Sequence, residues 1–110
     1  MAANDKPLVW LHGEIRTPPM SLNARLEAGW LLRRLQKHES LGMPHSRPMP
    51  SIGARVHELR IRDADANWRI IYRIDPDAIV LAAVFSKTTR STPSLQIDSS
   101  RARLKRHDQT

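Results

Sequence analysis

Three strand-length runs, Arg55–Arg62, Trp68–Ile74 and Ile79–Lys87, lie close together in the chain and are rich in Val, Ile, Trp, Tyr and Phe. The connections between them, Asp63-Ala64-Asp65-Ala66 and Asp75-Pro76-Asp77, consist of residues that favour turns through side-chain bonding or a fixed φ. Connections this short allow neighbouring strands to pair only in the antiparallel sense, so the second half of the chain reads as a meander. With 110 residues and 40% hydrophobic content, one core can be built and two would be hard to build. The reading is therefore a single domain over residues 1–110, of the α+β class, in the order β-α-β-β-β-α.

The first half supplies the remaining elements. Leu8–Leu11 is a short apolar run that suits a first strand, and Thr17-Pro18-Pro19 stops any continuation. Thr17 or Ser21 can cap a helix running from about Ser21 to Glu39. In that helix Leu22, Leu26, Trp30 and Leu35 fall on or near one stripe, expected to lie on the sheet, with Arg25, Arg33, Arg34 and Lys37 on the rest of the surface. Gly42–Gly53, with Pro44, Pro48 and Pro50, reads as a loop. A final basic helix is expected from about Leu95 to Arg106, with basic helix or tail continuing towards residue 110.

No cysteine is present, which excludes a disulfide framework, a thiolate metal site and a cysteine nucleophile, and makes the reducing cytoplasm the expected compartment. No run approaches the roughly 20 apolar residues of a membrane span, and no signal peptide is expected at the start of the chain. The formal charge is +7, of which +3 falls in residues 1–50, +2 in 51–97 and +2 in 98–110. A basic fold, rather than a basic tail alone, suits nucleic acid, an anionic surface or an acidic partner.

The strand Trp68–Ile74 carries the clearest pattern. Trp68, Ile70, Tyr72 and Ile74 alternate with Arg69, Ile71 and Arg73, giving one apolar face and one that presents two arginines. If Arg62 pairs with Asn67 across the turn, Arg60 stands opposite Arg69, with Glu58 and Arg62 on the same face. Such like-charge juxtaposition suggests an anionic ligand, while neutralisation by Glu58 and nearby aspartates would make it an ordinary solvated face. Lys87 joins Arg69 and Arg73 if Ile74 pairs with Ala78, and moves to the other face if the register slips by one.

Other chemistries find less support. His12, His38, His45, His57 and His107 show no metal-ligand spacing, and His57, alternating with Leu59 and Ile61, is expected at the core edge. Ser86, Ser91 and Ser94 lie in no nucleophile elbow, and no glycine-rich phosphate loop is present. Trp10, Trp30 and Trp68 are expected in the core, and Tyr72 half-buried.

Gly42-Met43-Pro44 through Met49-Pro50, His57-Glu58-Leu59-Arg60, Trp68-Arg69-Ile70-Ile71-Tyr72-Arg73, and Phe85-Ser86-Lys87-Thr88 through Thr92-Pro93 together resemble the phage-derived HigB-like toxins of the wider RelE superfamily. The resemblance runs from Leu8 to Asp108. It implies a RelE-like domain, with helices packed on a small twisted antiparallel sheet. It also implies a type II toxin, a ribosome-dependent mRNA endoribonuclease that inhibits translation and is neutralised by a cognate helix-turn-helix antitoxin. In such chemistry the ribose 2′-hydroxyl attacks the neighbouring phosphate, and no metal or small-molecule cofactor is required. Carried over, Arg69, Arg73 and Lys87 take the catalytic roles and Arg60 positions RNA; Arg62, Arg90 and Arg101 are further RNA-binding candidates, with a solvated basic helix as the alternative for Arg101. The middle loop, with His45 and Arg47, borders the RNA site or the antitoxin surface. Related chains commonly carry two consecutive lysines where this one has Lys87-Thr88. A catalytically degenerate RNA-binding, DNA-binding or antitoxin-binding module is therefore the alternative.

Overall fold

In the computed structural model the strands form one five-stranded mixed sheet, in the order β1-β5-β4-β3-β2. Residues 4–12, 20–64, 66–87 and 92–110 are described. The strands are β1 (Leu8–Trp10), β2 (Ser46–Pro48), β3 (Val56–Arg62), β4 (Asn67–Ile74) and β5 (Ile79–Lys87). Helices α1 (Leu22–Gln36) and α2 (Ser94–Asp108) complete the set. β1 pairs in parallel with β5, and every other pairing is antiparallel. The order differs from the expected one by β2, since the proline-rich segment read entirely as a loop contains a short edge strand. An edge tolerates Pro48, whose missing N–H leaves no central ladder position empty.

Strand alternation divides the interior into two layers. On one face Leu59, Ile61, Trp68, Ile70, Tyr72, Ile79 and Leu81 pack with α1; on the other, Val56, Ile71, Val80, Ala82, Ala83 and Phe85 pack with Leu104 of α2 and with Met49 and Ile52. Tyr72 is fully buried rather than half-buried: its hydroxyl hydrogen-bonds with Ser46 Oγ at 2.6 Å, and its ring stacks on His57 at 5.4 Å. His57 sits at the core edge as its alternation with Leu59 and Ile61 requires, and burial lowers its pKa.

Helix α1 begins where Ser21 Oγ accepts from the Ala24 amide. Asp63 in the β3–β4 turn fixes this end to the sheet, accepting from the Ser21 amide at 3.0 Å and from the Trp68 indole at 3.2 Å. These bonds, with one from Ala64, pull its carboxyl pKa down to about 2. At the other end His38 adopts a φ of 68°, while the amides of His38 and Glu39 return to the carbonyls of Leu35 and Arg34. That 5→2 and 6→1 pair closes the helix three residues before the expected Glu39.

The buried stripe of α1 is Ala24, Ala28, Leu31, Leu32 and Leu35. Leu22, Leu26 and Trp30, expected against the sheet, are instead exposed. Both stripes have helical spacing, so periodicity alone does not choose between them. Ala24 and Ala28 let the helix backbone approach β3, while Leu22, Leu26 and Trp30 turn outward.

The register around β5 settles the place of Lys87. Ile74 pairs with Ile79, the slip that alone would have put Lys87 on the α1 face. Between Ile71 and Tyr72 the pairing then shifts, from Tyr72↔Leu81 to Ile71↔Ala83, leaving Ala82 outside the register. This bulge restores the face, so that Lys87 shares it with Phe85 and Arg69. The Ala82 carbonyl accepts from Arg103 Nη1 of α2 at 2.9 Å. Helix α2 begins at Ser94 and ends at Asp108, close to the expected span.

The orientation of α1 is open to a direct test. Leu31→Ala should cost about 2–5 kcal/mol of stability, whereas Leu26→Ala should change it by no more than about 0.5 kcal/mol. Urea unfolding of the two variants measures both.

Candidate anion-binding site

The face of the sheet opposite α1 gathers charge around one carboxylate. Glu58, in the middle of β3, is wholly buried. Its Oε1 lies 3.0 Å from Arg47 Nε on β2, 3.4 Å from Arg69 Nε on β4 and 3.8 Å from Lys87 Nζ on β5. Its Oε2 accepts a short hydrogen bond from the Thr92 hydroxyl, immediately before α2. Pairing Arg47 directly with Glu58 places the edge cation, and the β4 and β5 ladders place the other two. Arg60 is paired directly with Arg69, and Arg62 with Asn67, as the four-residue turn predicts.

One carboxylate cannot neutralise three cations, so the cluster carries excess positive charge. Burial is the largest influence on Arg69 and Lys87 and lowers the pKa of both. Glu58 opposes that shift, while Arg47 and Arg60 reinforce it at each, joined at Lys87 by Arg69. Arg69 Nη1 donates to the Trp68 carbonyl at 3.0 Å, while its buried Nε has no hydrogen-bond partner among the described residues. An arriving anion would relieve this repulsion, and preorganised donors beneath an apolar sheet act strongly on it.

A depression of about 420 Å³ opens onto the cluster, with His45, Arg60, Arg62, Asn67 and Arg69 in its wall and Glu27 of α1 at its border. His45 is held beside Arg60, whose amide donates to the His45 carbonyl at 2.7 Å. Arg60 extends towards the Met43 sulfur at 3.6 Å. Among the described residues no group of His, Asp and Glu side chains could hold a metal ion.

The candidate residues thus separate. Arg60, Arg62 and Arg69 line one depression, while the buried Lys87 joins Arg69 at Glu58. Arg73 shares the face but not the cluster: its guanidinium grips Asp75 at 2.7 and 2.9 Å and Asp108 of α2 at 2.9 and 2.6 Å. Those bonds raise the Arg73 pKa and lower that of Asp108. Arg73 therefore acts as the clasp that holds the end of α2. Arg101 is exposed on α2 and lines a different groove, with Arg55, Arg73 and Lys105. Arg90 and Thr88 lie outside the described residues.

Arg47, expected only at the border of the site, reaches its centre, and Thr92 joins it although the chain gives no reason to single it out. Arg47 pairs with Glu58 only because a three-residue edge strand forms in the proline-rich segment, and Thr92 is brought over Glu58 by the path into α2. The sole signal for Thr92 is its inclusion in a short segment shared with the toxin-like pattern.

Because Glu58 is the shared counter-ion, Glu58→Gln should leave Arg69 and Lys87 buried without compensation and cost about 3–5 kcal/mol. Denaturant unfolding at neutral pH checks this, and a loss below about 1 kcal/mol would mean the cations find other partners.

No helix among the described residues is long and apolar enough to cross a membrane. No curated protein matches the chain. Residues 19–105, which span α1, the β2–β5 ladder and most of α2, match the family model described as "Phage derived protein Gp49-like (DUF891)", and the chain belongs to that family.

Proposed function

We propose that this protein is the toxin of a toxin–antitoxin pair and that it cleaves messenger RNA on the ribosome. The observation that carries the reading is the excess of cations around Glu58 beneath a depression walled by Arg60, Arg62 and Arg69. An RNA backbone supplies the negative charge that this site lacks, and spaced phosphates suit arginines set on adjacent strands. Membership of a phage-derived family is in keeping with a toxin role, and the resemblance to HigB-like toxins supplies the reaction.

In that reaction the ribose 2′-oxygen attacks phosphorus, the P–O5′ bond breaks, and the products are a 2′,3′-cyclic phosphate and a 5′-hydroxyl end. One group must accept the 2′-hydroxyl proton and one must deliver a proton to O5′. Arg69 binds the phosphate that gains charge, Arg60 and Arg62 hold the flanking backbone, and Lys87 adds its field through the Glu58 cluster. His45, in the wall of the depression and anchored beside Arg60, accepts the 2′-hydroxyl proton and delivers it to O5′ as the P–O5′ bond breaks. Arg73 reaches RNA only if Asp75 and Asp108 release it, so its contribution is to keep α2 in place.

The reading of a non-catalytic basic module rests on Thr88, where related toxins carry a second lysine. Controlled expression followed by mapping of RNA 5′ ends on translated messages separates the two. The expected result is new 5′-hydroxyl ends and arrested growth with the parent chain. Arg69→Ala should lower cleavage at least about 100-fold, and His45→Ala by about 10²–10⁴-fold with RNA binding retained. Salt-dependent RNA binding with no new ends would favour the module instead.

A further inference from the structure

Helix α1 has a second apolar stripe, turned away from the sheet. Leu22, Leu26 and Trp30, at positions i, i+4 and i+8, are 62%, 62% and 58% exposed. They form one line roughly 12 Å long at the helical rise. A single exposed leucine would need no explanation; a row of three large apolar side chains is the form in which one helix presents itself to another.

Gly29 borders this row. Glycine is unfavourable inside a helix, and a Cβ at this position would meet nothing within 4 Å, so packing within the chain does not require it. Close approach by a partner's backbone beside Leu26 and Trp30 would require it.

The charges around the row are one-sided. Arg25, Arg33, Arg34 and Lys37 flank it, against Glu27 as the one acidic residue within the helix. Arg34 lies over the Trp30 ring at 5.0 Å. Arg33 pairs with Asp5 and Arg34 with Glu39, yet Arg25 Nε and Arg33 Nη1 are buried without hydrogen-bond partners among the described residues.

Building on the toxin reading above, we propose that the outer face of α1 docks an acidic amphipathic helix of the antitoxin. The row takes the apolar side of that helix, Gly29 admits its backbone, and the arginine and lysine rim takes its carboxylates. A second copy of this chain fits poorly, since it would set two like basic rims against each other on chains that each carry +7. RNA would use Trp30 and the cations but leaves Leu22, Leu26 and Gly29 without a role. Glu27 also borders the depression above Arg69, so a helix docked on α1 stands beside the mouth of the cationic site. From there it would keep a substrate as bulky as the ribosome away.

The test titrates the product of the neighbouring open reading frame into the parent chain and into Leu26→Glu, Gly29→Gln and Arg69→Ala, with message cleavage assayed in parallel. The expected result is tight binding by the parent and Arg69→Ala, weakened at least about 30-fold by Leu26→Glu and by Gly29→Gln, with cleavage by those two unchanged. Binding equal in all four, or absent in the parent, overturns the proposal. So does sedimentation showing a dimer that Leu26→Glu dissociates, or a loss of RNA affinity in the α1 variants. If the binding pattern holds while no chain cleaves RNA, the docking surface stands and the ribonuclease reading falls.

Discussion

The contact on which the rest of the site depends is the buried carboxylate of Glu58. Arginines from two strands and a lysine from a third converge on one of its oxygens, and the threonine that precedes the last helix bonds to the other. Isolated, each buried ion would be costly to desolvate; together they share one counter-charge and remain short of neutral. The carboxylate thus ties four segments together and leaves a net positive surface above them. A face neutralised in full would be a structural network only, and the remaining cationic excess is what makes this one suited to an anion.

Two local devices set that arrangement. The bulge at Ala82 turns Lys87 back to the Glu58 side after the β4–β5 turn has set the strands in the other register. Small alanines at 82 and 83 let the backbone kink inside a buried layer, and Arg103 takes up the carbonyl of the unpaired residue. At the far end of β4, Arg73 is held by Asp75 and Asp108, which separates its role from that of Arg69 although both point to one face. The division of labour along a single strand therefore follows from where the carboxylates lie.

Much of this was legible in the chain. The alternation of Trp68 through Ile74 and the two short turns give the meander, and the four-residue turn is enough to place Arg60 opposite Arg69. The fate of Lys87 was not legible, because a bulge arises from how neighbouring side chains pack and leaves no mark in a period-two pattern. The buried side of α1 is hidden for a related reason: the Leu22, Leu26 and Trp30 stripe and the Ala24 and Ala28 stripe share one helical period, and the small alanines win because they allow closer contact with the sheet. The pairing of Arg47 with Glu58 was hidden by the surrounding prolines, which obscured a strand short enough to need only one ladder position on either side of it. Arg73 could not be separated from Arg69 without knowing that Asp108, 35 residues later, returns to it.

The claim that the surplus charge over Glu58 is a backbone-binding site is tested most directly by the salt dependence of single-stranded RNA affinity. Each neutralised phosphate contributes about −0.7 to the slope of log K against log salt. The parent chain should give a slope of about −2 or steeper, and Arg69→Ala should make it shallower by about 0.7, with Arg73→Ala leaving it unchanged in a protein that still folds. A slope unaffected by Arg69→Ala but reduced by Arg73→Ala would contradict the account, placing the RNA on the groove beside α2 instead.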